Sequence, residues 1–392
     1  MSDKLSYLIQ EPKRYLFDGT KMLWHQDRLE AFLRGERIMP IHIDMGIHKA
    51  CNVKCVYCYG VKQGKTAEYI PEDRLLLLAD DAKLCGIRSI AIIGDGEPTM
   101  NKGLYPFVTR LRKNGIDCAV ATNGLLLNHN QISTLTADCT WLRFNISGVD
   151  KYDWVMGAPR DSFKKFSSVI EQAVINGKEM GCTIGLQMVL IPDCFSEVLP
   201  LAKKAIEWGV DYLVIKQFSD GGEGMPIHID VNRYKEVRDV LETAEGMSTK
   251  DTQIIVKWSA IKDTTDITGN KHWDFDRCID LPFIFQISGN GNCYPCGYHF
   301  GNDKFCYGSV ISGNLSDMLT STRYWEIVEE VANTPLNELC TGQCRHMENL
   351  KFLDRLNKVY KGDLEKSLIE LCGSKEQYLS LIKNPPKHLN FI

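Results

Sequence analysis

The chain has no long hydrophobic run and no excess of positive charge. Its longest strongly apolar stretches, such as Leu75 to Ala79, are far shorter than the roughly 20 residues that a membrane span needs. Its 46 Lys and Arg against 50 Asp and Glu give a formal net charge of −4, which leaves no global basic surface for following nucleic acid. The first residues also lack the basic segment and apolar core of a signal peptide. We therefore expect a cytoplasmic protein with no membrane or nucleic-acid partner.

Cysteine, by contrast, is abundant. The 392 residues contain 15 cysteines, and the composition is otherwise ordinary for a globular protein, with 44% hydrophobic and 24% charged residues. The length exceeds the roughly 250 to 300 residues at which a single core stops growing, so we predict one large domain and a smaller one. In a reducing cytosol, many cysteines indicate metal or redox chemistry rather than disulfides.

Short apolar runs alternate with longer amphipathic segments between residues 41 and 220. The runs predict six strands, namely Ile41 to Met45, Ser89 to Ile93, Asp117 to Ala121, Trp141 to Ile146, Thr183 to Leu190 and Tyr212 to Ile215. Helical periodicity predicts helices at Pro71 to Cys85, Leu104 to Asn114, Phe163 to Met180 and Glu197 to Trp208. This alternation indicates an α/β fold with a parallel sheet, either open or curved into a full or partial barrel. In both cases the chemistry is expected at the carboxyl ends of the strands.

The rest of the chain divides by composition. Residues 1–40 form a leader with one short helix, in which His25 to Arg28 is predicted to be a solvated helix face. Residues 221–275 form a connecting segment with a helix at 232–246 and a strand at Gln253 to Trp258. Residues 276–348 are rich in cysteine and contain a hairpin signal at Gly289 to Asn292, so we predict a small domain pinned by a metal centre. Helices are predicted at 322–332 and 347–383, the second within a tail at 349–392.

Three cysteines lie within eight residues directly after the first predicted strand. Cys51, Cys55 and Cys58 form the sequence C-N-V-K-C-V-Y-C. Three thiolates this close can cap three irons of a cubane and leave the fourth iron open. A zinc site would usually want a fourth protein ligand at comparable spacing. Structural zinc and a chance cluster of free thiols remain the alternatives.

At these residues the sequence resembles the radical S-adenosylmethionine (radical SAM) superfamily, whose hallmark is C-x3-C-x2-C with an aromatic residue before the last cysteine. Gly94 to Pro98 is similar to the family's G-G-E-P element. Taken alone, these features are ordinary turn and capping residues. The resemblance implies a partial (β/α)6 TIM-type barrel and an S-adenosylmethionine (AdoMet) site formed by Tyr57, Gly94, Gly96, Glu97, Pro98, Thr122, Asn123, Asn145, Ser147, Gln187 and Leu190.

The resemblance also implies a mechanism. The open iron of a 4Fe-4S cluster held by Cys51, Cys55 and Cys58 chelates AdoMet, and one electron splits the sulfonium to give methionine and a 5′-deoxyadenosyl radical. That radical takes a hydrogen atom from the substrate, while the protein supplies binding, orientation and exclusion of water. An electron donor such as flavodoxin or ferredoxin is implied.

A second group of cysteines lies near the C-terminus. Cys278, Cys296, Cys340 and Cys344 are spaced C-x17-C-x43-C-x3-C, and the segment from Cys278 through Gly291 to Cys296 resembles the Twitch/SPASM auxiliary-cluster domains. Four thiolates can close a second 4Fe-4S cluster. The two-cluster SPASM form needs C-x2-C-x5-C-x3-C, which fails here, so we favour the one-cluster Twitch form and treat Cys293 and Cys306 as spare. A structural zinc site is the alternative.

These features predict an oxidoreductase-type radical SAM enzyme that acts on a small polar substrate such as a sugar, an aminocyclitol or a nucleotide-sugar. The Twitch spacing resembles that of an aminocyclitol dehydrogenase of the superfamily, in which the auxiliary cluster would accept the substrate electron. The candidates for contact with the substrate are Arg143, Lys216 and Tyr294. The first alternative is a peptide or protein maturase, although residues 1–40 are shorter than the ~80 residues of a peptide-recognition domain. The second is a non-catalytic iron-sulfur or zinc module.

Overall fold

The computed structural model describes residues 15, 19–61, 63–218, 225–258, 261, 275–340 and 346–392. The strands are β1 His42–Met45, β2 Ser89–Ile92, β3 Asp117–Thr122, β4 Trp141–Asn145, β5 Thr183–Leu190, β6 Tyr212–Gln217, β7 Gln253–Val256, β8 Ile284–Ile287, β9 Asn292–Tyr294 and β10 Gly308–Ser309. The α-helices are α1 Gln26–Leu33, α2 Glu72–Leu84, α3 Leu104–Lys113, α4 His129–Asp138, α5 Tyr152–Val155, α6 Ser162–Met180, α7 Val198–Trp208, α8 Arg238–Gly246, α9 Leu315–Thr320, α10 Thr322–Asn333, α11 Leu336–Leu339, α12 Met347–Val359, α13 Leu364–Cys372 and α14 Lys375–Lys383. Short 3-10 helices lie at Thr20–Trp24, Tyr59–Val61, Pro98–Met100, Pro192–Glu197, Val231–Val237, Gly297–His299 and Asp303–Phe305.

The strands form one ten-stranded sheet in the order β10-β9-β8-β1-β2-β3-β4-β5-β6-β7. From β1 to β7 each strand pairs parallel with the next, as strand-helix alternation requires. Strands β1 and β2 are buried at every residue, which is typical of a parallel sheet covered on both faces. The six predicted strands and the mixed α/β class are confirmed, and over the described residues the sheet does not close on itself.

Two further strands extend this sheet beyond the predicted barrel. Strand β7, within the predicted connecting segment, pairs with β6. Strand β8 comes from the cysteine-rich region and pairs parallel with β1 on the opposite side. It then turns through the predicted hairpin into β9. The first strand of the C-terminal region is therefore a continuation of the barrel sheet.

The predicted helix at 347–383 is wrong in one respect, because the chain forms three helices there. Helix α12 ends at Val359, and α13 begins after Asp363, whose side chain accepts a hydrogen bond from Lys366 N as an N-cap. Gly373 has φ of +93°, and it separates α13 from α14. The breaks let the helices pack as antiparallel neighbours over Leu353, Leu368 and Leu371.

The last residues of the chain lie at the amino ends of the strands. The ring of Phe391 lies 5.5 Å from that of His42 and 5.4 Å from that of Trp141. Lys21 Nζ donates to Phe391 O (3.0 Å), and His25 Nε2 lies 3.3 Å from Leu389 O. His25 is 1% exposed, so the prediction of a solvated face is wrong for this residue. No helix in the described part of the chain is long and apolar enough to cross a membrane.

Candidate functional site

A cavity of about 450 Å³ lies at the carboxyl ends of the strands, and we call it the barrel cavity. Among the sequence-predicted residues, those that line it are Cys51, Cys55, Tyr57, Cys58, Gly94, Gly96, Glu97, Asn123, Asn145, Gln187, Lys216, Cys296 and Cys340. Both groups of cysteines therefore border one cavity, together with the polar residues at the strand ends. This is the position that a parallel α/β barrel gives to its chemistry.

Other predicted residues lie outside the lining of the barrel cavity. Arg143 lies on β4, where its guanidinium carbon is 5.2 Å from the centre of the Trp141 ring. Tyr294 is buried in β9 and packs on Phe300, with the ring centres 5.3 Å apart. Pro98, Thr122, Ser147 and Leu190 are also buried away from the lining. Cys344 lies outside the described residues.

The thiols of Cys51, Cys55 and Cys58 lie in the loop between β1 and α2. Burial raises the pKa of Cys51, and burial with the charges of Cys58 and Cys51 raises that of Cys55 to about 12. Thiols so desolvated need a bound cation to become thiolates. No three His, Cys, Asp or Glu side chains among the described residues converge on the position of a single metal ion. In a cubane each of three thiolates takes a different iron, whereas a mononuclear zinc site needs four ligands on one ion.

Glycines allow the cysteine loop to pack directly on the segment after β2. A Cβ on Gly96 would lie 2.2 Å from Ala50 O, and one on Gly60 would lie 2.4 Å from Asp95 O and 3.5 Å from Cys58 Sγ. Glu97 N donates to Ala50 O (2.9 Å), which fixes the same contact. No other residue type fits at Gly60 or Gly96 without moving the backbone of the facing segment.

Asp95 carries a buried oxygen atom with no partner. Its Oδ2 accepts hydrogen bonds from Ser288 Oγ (2.6 Å) and Gly289 N (2.9 Å), which ties the end of β2 to the β8–β9 hairpin. Its Oδ1 is buried and has no hydrogen-bond partner in the described part of the chain. Asp95 lines the barrel cavity and has φ of +20°, and burial raises the pKa of its carboxyl. An ammonium group such as that of AdoMet would satisfy this oxygen, so the residues fit the cofactor.

Glu97 is buried and acts as an acceptor for the neighbouring strand end. Its Oε1 accepts from Thr99 N (3.1 Å), Thr99 Oγ1 (2.6 Å) and Thr122 Oγ1 (2.6 Å), and its Oε2 accepts from Asn123 N (2.8 Å). Burial raises the pKa of Glu97, while these donors oppose the rise. Thr122 therefore supports Glu97, whereas the Asn123 side chain reaches the cavity and donates to Asn52 Oδ1 (2.8 Å).

Three members of the second cysteine group interact with one another. Burial raises the pKa of Cys278 and Cys296, to about 12 for Cys296, and the neighbouring thiols add to both shifts. Cys340 is among the causes of both shifts, so the three thiols are close enough for their charges to interact. Burial, Cys296, Tyr298 and Cys340 also raise the pKa of Tyr59 to about 12. Tyr59 follows Cys58 in the sequence, and both line the barrel cavity with Cys296.

One wall of the barrel cavity, formed by β1 and β8, was not predicted from the sequence. Asp44 and Gln286 line the barrel cavity from these adjacent strands, and His346 lies beside Gln286. Asp44 Oδ1 is 2.9 Å from His42 Nε2, and Gln286 Nε2 is 2.9 Å from His346 Nε2. The signal was present in β1, where His42 and Asp44 alternate with Ile43 and Met45.

An open parallel α/β barrel with three cysteines in the loop after its first strand is the arrangement that the resemblance to the radical SAM superfamily predicted from the sequence. Residues 45–205 match the family model of the radical SAM superfamily, and the chain carries a radical SAM domain. The resemblance seen in the sequence is confirmed to that extent. The family implies AdoMet and one 4Fe-4S cluster.

Parts of the chain are similar in sequence to other proteins. A probable GTP 3′,8-cyclase of Archaeoglobus fulgidus is 29% identical over 154 residues, which are 38% of this chain and 47% of that protein. The chain thus spans about half the length of that relative. The tungsten-containing aldehyde ferredoxin oxidoreductase cofactor-modifying protein of Pyrococcus furiosus is 20% identical over 304 residues, which are 72% of this chain and 82% of that protein.

Two solved structures share the fold. Streptococcus suis SuiB has a TM-score of 0.60 and 16% identity, covering 78% of this chain and 72% of that one. Native anSMEcpe with bound AdoMet has a TM-score of 0.55 and 15% identity, covering 88% of this chain and 100% of that one. At these identities the likeness concerns the fold alone.

Proposed function

We propose that this protein is an AdoMet-cleaving enzyme of the oxidoreductase type that abstracts a hydrogen atom from a small polar substrate such as a sugar, an aminocyclitol or a nucleotide-sugar. The observation that carries the proposal is the shared lining of the barrel cavity, where three loop thiols meet the polar ends of the strands. The bound cluster and AdoMet supply the one-electron cleavage that starts hydrogen abstraction. The protein acts in the reducing cytoplasm and takes its electron from a donor such as flavodoxin or ferredoxin.

Each part of the cavity has its own task in this proposal. Cys51, Cys55 and Cys58 hold the cluster. The AdoMet site includes Asp95, whose buried oxygen accepts the amino group, and the lining residues Tyr57, Gly94, Gly96, Glu97, Asn123, Asn145 and Gln187. Lys216, near the end of β6, is the sequence-predicted substrate-contact residue that lines the cavity. The cavity walls limit the access of water to the reacting atoms.

The second cysteine group holds an auxiliary 4Fe-4S cluster in this proposal. The mutual influence of Cys278, Cys296 and Cys340 on their pKa values supports a common centre, to which Cys344 would add the fourth thiolate. Cys296 and Cys340 border the barrel cavity. An auxiliary cluster there could accept the electron left on the substrate in a dehydrogenation. Cys293 and Cys306 remain spare cysteines in the one-cluster form.

A peptide substrate is the second candidate. SuiB has been solved bound to the precursor peptide SuiA, and that structure matches this chain with a TM-score of 0.59. Peptide-dependent cleavage of AdoMet, with a precursor peptide encoded nearby, would favour this alternative.

The proposal is tested by anaerobic reconstitution, counting of iron and sulfide, and dithionite-driven AdoMet cleavage. The wild type is compared with a Cys51→Ala, Cys55→Ala, Cys58→Ala triple variant, and Cys85→Ala, outside both cysteine groups, is the matched control. We expect about eight irons in the wild type and in the control, about four in the triple variant, and 5′-deoxyadenosine from the first two only. Wild-type protein with full iron content and no AdoMet cleavage would overturn the proposal. Zinc with about four irons would reassign the second cysteine group as a structural site.

A further inference from the structure

The wall formed by β1 and β8 contains two hydrogen-bonding side chains side by side. In the parallel pairing of these strands, Asp44 is directly opposite Gln286. Neighbouring strands are about 4.8 Å apart, so the two side chains stand at that spacing on the inner face of the barrel. Both line the barrel cavity and both are nearly buried, at 6% exposure each.

A buried histidine forms a hydrogen bond with Asp44. His42 is fully buried, and its Nε2 lies 2.9 Å from Asp44 Oδ1. Its Nδ1 lies 2.8 Å from Ser89 Oγ, which donates its own proton to Asn390 O. Nδ1 of His42 therefore donates to Ser89 Oγ, and its Nε2 holds Asp44 Oδ1 in place at the cavity wall.

Gln286 is held in the same way by a second histidine. His346 Nδ1 lies 2.9 Å from Asp280 Oδ2, and both side chains are buried. Since a carboxylate only accepts, Nδ1 donates to Asp280. The other ring nitrogen, Nε2, lies 2.9 Å from Gln286 Nε2 and holds the amide in place. Gln286 Oε1 is the opposite end of this amide, and we take it as the acceptor at the cavity wall.

The fold does not require this arrangement. Buried polar pairs are often replaceable by apolar residues without loss of stability, and these two border a cavity rather than a packed core. Side chains locked by supporting hydrogen bonds are typical of sites that recognise a ligand. Two fixed acceptors on directly paired residues of neighbouring strands would match two donor groups on adjacent positions of a small molecule.

From this geometry we propose that Asp44 and Gln286 are specificity-determining residues that bind two neighbouring hydrogen-bond donors, such as adjacent hydroxyl groups, on the substrate. The inference rests on the proposed function, because it names the substrate chemistry of the same cavity. His42 and His346 are positioning residues that aim the two acceptors.

The test uses reconstituted full-length protein with AdoMet and radiolabelled myo-inositol as the probe of adjacent ring hydroxyls. Anaerobic equilibrium dialysis compares the wild type with Asp44→Leu, Gln286→Met and Gln286→Glu. We expect binding by the wild type, at least tenfold weaker binding by Asp44→Leu and Gln286→Met, which lack an acceptor oxygen, and binding within about threefold of wild type for Gln286→Glu, which keeps one. Asp251→Leu and Gln377→Met, both remote from the cavity, are the matched controls.

The possible results are distinguishable from failure of the proposed function. Absence of myo-inositol binding by the wild type, or binding by Asp44→Leu and Gln286→Met equal to that of the wild type, overturns the inference. If Asp44→Leu does not fold, as judged by circular dichroism and iron content, the comparison of Gln286→Met with Gln286→Glu decides alone. A wild type that binds myo-inositol through both residues but cleaves no AdoMet would refute the proposed function and keep the recognition pair.

Discussion

Ser147 Oγ lies 2.9 Å from the hydroxyl oxygen of Tyr57, the aromatic residue that precedes the last cysteine of the loop. Ser147 donates to Tyr57, and the Tyr57 hydroxyl donates to Met156 Sδ (3.2 Å). Ser147 Oγ also accepts from Val189 N (3.0 Å). One buried hydroxyl therefore joins the cysteine loop to the ends of β4 and β5.

Ser147→Ala should destabilise the protein by about 1 kcal/mol, because Val189 N would lose its acceptor and the Tyr57 hydroxyl its donor. Urea unfolding of the apoprotein, followed by circular dichroism, measures this change. Ser168→Ala, at an exposed position on α6, should change stability by less than about 0.5 kcal/mol. Equal effects of the two substitutions would show that the hydroxyl chain has no structural role.

Gly96→Ala should loosen the contact between the cysteine loop and the end of β2, since the added Cβ would lie 2.2 Å from Ala50 O. We expect lower retention of iron after reconstitution and desalting. Gly246→Ala is the matched control, because a Cβ there meets no atom within 4 Å at the end of α8. That control should be neutral or stabilising by about 0.5 to 1 kcal/mol. Normal iron content in Gly96→Ala would contradict the tight packing of the loop.

Glu97→Gln should weaken the link between β2 and β3. An amide group in place of the carboxylate turns one acceptor oxygen into a donor, which then faces Thr122 Oγ1 or Asn123 N. The expected loss is about 2 kcal/mol in the free energy of unfolding, together with weaker AdoMet binding in anaerobic equilibrium dialysis. Glu236→Gln, on an exposed surface, is the control. Unchanged stability of Glu97→Gln would show that the hydrogen bonds accepted by Glu97 do not stabilise the fold.

The sequence predicted the elements whose pattern is local. The six barrel strands, the helices that flank them and the cysteine loop followed from hydrophobic periodicity and spacing. Helix α4 was not predicted, although Asn128 and Gln131 form a reciprocal capping box at its start, because its apolar positions are few. Strand β8 was not predicted either, since an apolar run of four residues does not reveal its partner strand.

The cavity was predictable only in part for the same reason. Cysteine spacing and the strand ends led to the cysteines and to the polar strand-end residues that line it, whereas the places of Asp44 and Gln286 depend on long-range pairing. Gln286 reaches the site because β8 pairs with β1, which is more than 200 residues away in sequence. The position of the C-terminal residues beside His42 and Trp141 likewise depends on tertiary packing, which local sequence patterns do not predict.

His25 should make stability depend on pH. Burial, followed by the charge of Arg88, lowers the pKa of His25 from 6.5 to about 4. Between these two pH values the imidazole is neutral in the folded protein and protonated in the unfolded chain. The unfolded state binds more protons between pH 6.5 and 4, and stability therefore falls as the pH falls through this window. The resulting loss in the free energy of unfolding approaches about 3 kcal/mol at the acidic limit of this pH window. His299, whose pKa is also lowered to about 4 by burial, contributes with the same sign.

Urea unfolding of wild type and His25→Gln from about pH 4 to 7 tests this dependence. The variant keeps a donor for Leu389 O and should show a shallower loss of stability on acidification. His129→Gln, at an exposed position, should keep the slope of the wild type. Parallel curves for wild type and His25→Gln would be inconsistent with a neutral buried imidazole.

Phe391→Ala should destabilise the fold by about 3 kcal/mol, because a large ring between His42 and Trp141 would be replaced by a cavity. The effect should extend to the wall formed by β1 and β8. Ser89 Oγ donates to Asn390 O and accepts from His42. His42 in turn holds Asp44, so a shift of the C-terminal residues should disturb Asp44. Thermal unfolding and myo-inositol binding are therefore both expected to decrease. Leu379→Ala, on the half-exposed face of α14, should affect neither by a comparable amount. A variant of Phe391 that loses stability but binds the probe as tightly as wild type would show that the C-terminal residues seal the barrel without positioning Asp44.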